Sequence, residues 1–191
     1  MSATSNTASH QQDSLRLEQM FHELDKFGDR IPVEHLAKLL EQLELTLPEV
    51  REYLKFSEEH YVRNLVHEST SCQVLLICWL NGQRSQIHDH VGSSCGVKVI
   101  KGNPVETRFE RAPNGMIYAT GSKILPEGFV CVNADEDIHQ ISNLQADDAC
   151  QVTLHIYSPP LKSINIYDLA ESQARVVADP VENLLYNAPG N

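Results

Sequence analysis

Residues Gly82 to Gly102 read GQRSQIHDHVGSSCGVKVIKG, and the fold turns on how His88-Asp89-His90 is spaced within them. On an extended strand, side chains at i and i+2 share a face, so His88 and His90 can take adjacent positions on one metal ion while Asp89 points away. A third nitrogen donor has to come from another segment. His139, in IHQISN after the turn-like acidic run Asp135, Glu136, Asp137, is best placed, which gives a three-histidine site.

Outward from this stretch the periodicity of the chain changes once. From a cap at Asp13 or Ser14, Leu17, Met20, Phe21 and Leu24 follow the i, i+3, i+4, i+7 rule of an amphipathic helix that Gly28 is expected to stop. Pro32 suits the first turn of a second helix, whose Val33, Leu36, Ala37, Leu40 and Leu43 form one apolar stripe. Thr46 and Glu49 read as a capping box for a short third helix that buries Val50, Tyr53 and Leu54. These helices are expected to cover one side of a sheet.

Beyond Phe56 the pattern becomes short extended runs, at 61–66, 74–80, 86–90, 95–100, 105–109, 116–120, 129–132, 139–142 and 151–157. Gly82, Gly92, Gly102, Asn103-Pro104, Pro113-Asn114-Gly115, Gly121 and Pro126-Glu127-Gly128 punctuate them at about the eight-to-twelve-residue spacing of an all-β sandwich or barrel. Ser158-Pro159-Pro160 closes the last long strand, and the tail ending YNAPGN reads as irregular. The expected division is a disordered polar segment over 1–12 and one domain over 13–191. That domain comprises a helical cap (13–56), a β-barrel (57–160) and a C-terminal extension (161–191).

Composition narrows the function. At 191 residues the chain can bury roughly 70% of the surface its extended form exposes, enough for one core. Fifteen basic against 26 acidic side chains give a formal charge of -11 with no Lys/Arg run, which argues against nucleic acid or an anionic membrane as partner and for a small-molecule substrate. Five cysteines without C-x-x-C spacing indicate neither a disulfide framework nor a zinc knuckle, so a reducing cytoplasm is expected. The segment MSATSNTASHQQDS lacks the basic start and apolar core of an export signal, and no 18-residue apolar run exists. Three imidazoles alone do not choose the metal: zinc, nickel and copper suit them as well as iron.

The spacing around the histidine pair is more specific than the pair. Glycine, five residues, His-x-His, a further ligand position, six residues and glycine resemble the first signature of the cupin barrels, with Gly82, His88, His90 and Gly102 in register. Pro126-Glu127-Gly128, His139 and Asn143 resemble the second signature, with a longer gap between Gly128 and His139 than the family has. Where most cupins place a glutamate ligand, this chain has Cys95, and in that it resembles the cysteine dioxygenases. The expected fold is therefore all-β dominated: a cupin double-stranded β-helix, a jelly-roll-like barrel with N-terminal α-helices.

Two further segments carry the same resemblance. By pattern alone Arg63, in YVRNLV, is a solvated or edge-strand arginine, but the segment is similar to the one whose arginine holds the substrate carboxylate in the cysteine dioxygenases, with Tyr61 flanking the pocket. In TLHIYSPP, Thr153, His155 and Tyr157 alternate onto one face. The resemblance implies that the Tyr157 hydroxyl points at the metal, that His155 hydrogen-bonds it, that Cys95 and Tyr157 can be joined by a thioether, and that Ser158-Pro159 is cis. It also implies Fe(2+) held by His88, His90 and His139, with L-cysteine and dioxygen as reactants and cysteine sulfinic acid as product, in a cytoplasmic monomer of cysteine catabolism. A relative acting on 3-mercaptopropionate and a non-catalytic metal- or ligand-binding cupin are the alternatives. Cys95 together with Arg63 favours cysteine, since relatives specific for the amine-free thiol have glycine at the former position and their arginine elsewhere.

Overall fold

A computed structural model of the chain describes residues 14–134, 137–146 and 148–178. The described chain opens with α1 (Leu17–Leu24), α2 (Val33–Gln42) and a 3₁₀ helix (Leu47–Tyr53). Eleven strands follow: β1 (Val62–Glu68), β2 (Gln73–Trp79), β3 (Ile87–His88), β4 (Ser94–Lys101), β5 (Val105–Arg111), β6 (Ile117–Ile124), β7 (Val130–Asn133), β8 (Ile138–Ser142), β9 (Gln151–Ser158), β10 (Ser163–Tyr167) and β11 (Arg175–Ala178).

The strands form two antiparallel sheets, ordered β1-β2-β9-β4-β7 and β11-β10-β3-β8-β5-β6. Leu75, Ile77, Trp79, Cys95, Val97 and Tyr157 from the first meet Ile141, Ile164 and Ile166 from the second in a shared interior. This is the expected cupin double-stranded β-helix, with few helices. The other face of the first sheet is apolar as well. Val74, Leu76, Cys78, Val152, Leu154 and Ile156 pack against Met20, Leu24, Leu36, Leu39, Leu40 and Leu43, so the helices cover one side of a sheet. Burial on both faces explains why β2 reads QVLLICW without alternation.

Helix α2 approaches β4 closely because Gly96 has no side chain. A β-carbon there would lie 2.8 Å from the Leu40 side chain. Lys98, two residues on, donates from Nζ to the carbonyls of Leu40 (2.7 Å) and Leu43 (2.6 Å), satisfying the unpaired end of α2 with a positive charge. The signature glycines Gly82 (φ +83°) and Gly102 (φ +86°) both adopt the left-handed conformation that side chains resist. At Gly102 a β-carbon would also crowd Gln145 at 2.8 Å.

Several expectations need correction. Helix α1 ends at Leu24 with Asp25 as its cap, so Gly28 is not its stop. At its start the Gln19 side chain accepts the Arg16 N–H (2.9 Å) where a cap at Ser14 was expected, and Asp13 lies outside the described residues. The third helix is 3₁₀, though its Thr46–Glu49 cap forms as read, with Thr46 N donating to Glu49 at 2.8 Å. The run 86–90 contributes only a two-residue strand. Gly121 is no turn. It lies inside β6, where the register shifts between Arg108 and Phe109 and leaves one extra residue on that strand. The strands do not finish at β9: β10 and β11 extend the second sheet, with Ile166 and Tyr167 of β10 paired to His88 and Ile87. The 1–12 segment and YNAPGN lie outside the described residues, as do Asp135 and Glu136.

Replacing Lys98 by Met removes both cap hydrogen bonds but keeps the stem that packs beside α2. Its unfolding free energy is expected to fall by about 1–2 kcal/mol in urea denaturation, and an unchanged midpoint would contradict the capping role.

Candidate metal centre

His88 on β3 and His139 on β8 are direct partners across the ladder, and His90 follows His88 by two residues on the same face. The three rings form a triangle with centroids 5.1 Å (88–90), 4.7 Å (88–139) and 4.9 Å (90–139) apart. One nitrogen from each lies within 4.8 Å of the others, close enough for small ring rotations to converge on an ion bound at about 2.0–2.1 Å. No carboxylate joins this group among the described residues.

The electrostatics favour free lone pairs. Burial first, then the His139 ring and Arg63, hold His88 down to about 3. Burial and Arg108 hold His139 to about 4, and burial with the neighbouring imidazoles holds His90 well below the usual histidine range. Neutral imidazole is the form that ligates metals. The Gln86 carbonyl lies 2.8 Å from His88 Nδ1, so Nδ1 carries the proton and Nε2 presents the lone pair. The Nδ1 of His139 is buried without a well-formed hydrogen bond, although the Asp137 backbone two residues earlier raises its proton affinity slightly. These donors fit a metal ion.

Asp89 points away, as its place in the strand requires, and ties the ligand-bearing strand to β10. Its carboxylate accepts from Tyr167 OH (2.6 Å) and Asn165 Nδ2 (3.0 Å), while its own N–H donates to the Asn165 carbonyl (3.2 Å). Arg111 lies over the Tyr167 ring, 5.3 Å from its centre. The alternation in SINIY, residues 163–167, was the available signal for this strand.

The rings open onto a cavity whose non-atom space is about 470 Å³, its open mouth included. Tyr61, Arg63, Gln86, His155 and Tyr157 line it with His88 and His139. Arg63 is 7% exposed, which overturns the solvated-arginine pattern, and its guanidinium carbon lies 5.9 Å from the centre of the Tyr157 ring. Tyr61 stacks on Trp79 at 4.3 Å. Trp79 Nε1 donates to Thr153 Oγ1 (3.1 Å), which is 2.9 Å from His155 Nε2, and His155 Nδ1 is 3.3 Å from the Tyr157 hydroxyl. Cys95 does not line the cavity. It pairs directly with Tyr157 across β4 and β9, and burial pushes its thiol up while a hydrogen bond with Tyr157 opposes that. Ser158-Pro159 is cis. Gln86 and the Asp89 partners were not singled out from the sequence.

A double-stranded β-helix with a three-histidine pocket defines a metal-binding cupin. Comparison with known proteins narrows this: the family model for cysteine dioxygenase type I matches residues 1–170. Cysteine dioxygenase type 1 of Rattus norvegicus is 32% identical over 153 residues, 78% of this chain and 76% of the rat protein. The Homo sapiens counterpart is 30% identical over 145 residues, covering 74% and 72%. Among solved structures, an uncharacterized conserved protein with a double-stranded β-helix domain from Klebsiella pneumoniae superposes with a TM-score of 0.49 at 18% identity, over 62% of this chain and 94% of that one. The chain belongs to the cysteine dioxygenase type I family. It is a thiol dioxygenase, an oxidoreductase with a metal cofactor on a cupin fold.

Between about pH 6.5 and the depressed values near 3–4 of His88 and His139, the unfolded chain binds more protons than the folded one, so folded-state stability rises with pH across that window. Metal-free protein is therefore expected to lose thermal stability as pH falls from 6.5 towards 4. A melting temperature that stays flat over that interval would contradict the neutral, buried histidines.

Proposed function

We propose that the protein is an iron(II)-dependent cysteine dioxygenase that adds both atoms of dioxygen to the sulfur of L-cysteine, giving cysteine sulfinic acid. The sulfur gives up four electrons and dioxygen accepts four, so no outside reductant is required. One observation supports this most: the buried Arg63 guanidinium shares a cavity with neutral imidazoles that no carboxylate accompanies among the described residues. Uncharged donors favour an anionic sulfur at the site, and a guanidinium matches a carboxylate in a bidentate pair.

On this reading His88, His90 and His139 would hold the iron, which when bound supplies open coordination positions and the redox chemistry linking dioxygen to sulfur. Arg63 fixes the substrate carboxylate, and Tyr61, held against Trp79, flanks it. His155 orients the Tyr157 hydroxyl: because Trp79 only donates, Thr153 accepts from it and its own proton is free to go to His155 Nε2, which leaves Nδ1–H to donate to the phenol oxygen. Tyr157 can then direct its own proton towards the reacting oxygen. Positioning of the reactants supplies most of the acceleration.

The pairing of Cys95 with Tyr157 across β4 and β9 supports a thioether between them. Its formation makes one carbon–sulfur bond, breaks the S–H bond and one ring C–H bond, and passes the two hydrogens with their electrons to dioxygen, which leaves as hydrogen peroxide. We further take residues 13–191 as one domain and the protein as a cytoplasmic monomer. The described cysteines are all free thiols, which suits a reducing compartment.

Purified iron-loaded protein with cysteine in air is expected to yield sulfinate. No product would leave a non-catalytic binding role, and a clear preference for 3-mercaptopropionate in oxygen uptake would reassign the substrate. Arg63→Ala is expected to raise KM for cysteine about ten-fold or more with iron content unchanged, and iron loss in that variant would refute the assignment. Cys95→Ala is expected to lack the intact-mass deficit of two hydrogens seen in the parent protein and to keep partial activity. Complete inactivity would give Cys95 a larger role than orienting Tyr157.

A further inference from the structure

We propose that Gln86 sets the preference for an amine-bearing thiol, its side-chain carbonyl receiving an N–H of the substrate. This rests on the cysteine reading and names the residue within it that recognises the amine. Gln86 precedes His88 by two residues on an extended segment, so it faces the same side, and it lines the cavity with Arg63. Its Oε1 is buried and meets no donor among the described residues. Its main-chain carbonyl is already occupied, by His88 Nδ1 at 2.8 Å and Ser85 Oγ at 2.9 Å, so only the side chain is available.

The cavity's other polar groups are committed differently. Arg63 offers donors only. Ser85 Oγ accepts from Ile141 N (3.0 Å) while donating to Gln86, and both nitrogens of His155 face Thr153 and Tyr157. Besides His139 Nδ1, on a ligand ring, Gln86 Oε1 is, among the described residues, the buried polar atom of the cavity wall without a partner. A donor fork and a separate acceptor in one cavity match a carboxylate and an amine on one small molecule. An amine whose lone pair is engaged elsewhere still carries two N–H bonds to give. A thiol acid without the amine leaves Oε1 desolvated and unpaired, and sites built around such a group discriminate strongly against the analogue that lacks it.

The test compares kcat/KM for L-cysteine and 3-mercaptopropionate in the iron-loaded parent protein, Gln86→Leu and Gln86→Glu, together with equilibrium binding of both thiols under argon. Gln86→Leu is expected to lower kcat/KM and affinity for cysteine by about ten-fold or more, chiefly through KM, with little loss for 3-mercaptopropionate, so that the ratio between them collapses. Gln86→Glu keeps an acceptor and is expected to keep or raise that ratio, whatever both thiols lose to its added charge. Equal losses for both thiols in Gln86→Leu, an unchanged ratio there, or a falling ratio in Gln86→Glu would overturn the proposal. A parent protein that forms no sulfinate from cysteine would fail the underlying reading. A parent protein that does, beside an unaltered ratio in the variants, would fail this inference alone.

Discussion

Burial of three imidazoles against one another is the constraint on which the structure depends. Placing His88, His90 and His139 in a dry pocket costs them their protonated forms, and the mutual repulsion of would-be imidazolium rings deepens that cost. The same penalty makes the site a set of ready lone pairs. A carboxylate among them would soften the penalty but would also neutralise part of an ion's charge, and the described cluster contains none. Arg63, buried at the cavity wall, adds further positive potential and pushes His88, His90 and His155 the same way. The pocket as a whole suits a doubly anionic ligand, such as a thiolate that also carries a carboxylate.

The surrounding architecture serves to hold that arrangement rigid. Two sheets meet over an interior whose β9 face carries Thr153, His155 and Tyr157, while the opposite face of β9 is locked against α1 and α2 by Leu154 and Ile156. The close approach at Gly96 and the Lys98 cap fix α2 to β4, the strand that carries Cys95 opposite Tyr157. On the other sheet, Asp89, directly after β3, joins this segment to β10 through Tyr167 and Asn165, so the stretch bearing two ligands is anchored from behind. A site on short, paired strands is held more precisely than one on a free loop.

What the sequence disclosed was what is local. The i, i+2 histidines, the turn glycines Gly82 and Gly102, the Thr46–Glu49 cap and the helical stripes each depend on neighbours within a few residues, and all appear in the structure. Partners across sheets were not legible. That β10 would pair with β3, and that Tyr167 would reach Asp89, depends on a non-local choice of edge that SINIY alone does not encode. Gly121 was misread because a bulge and a turn use the same residue type, and Gly28 because Asp25 had already ended the helix. Arg63 shows the same limit from the other side: its strand pattern fits an exposed arginine, and only the fold places it at 7% exposure in the cavity wall.

Metal content of the protein isolated from iron-replete cells tests the central claim most directly. The proposed iron centre predicts close to one iron per chain, falling to near zero in His139→Ala. Iron retained in that variant, or a parent protein that binds no metal, would contradict a centre built from these three rings.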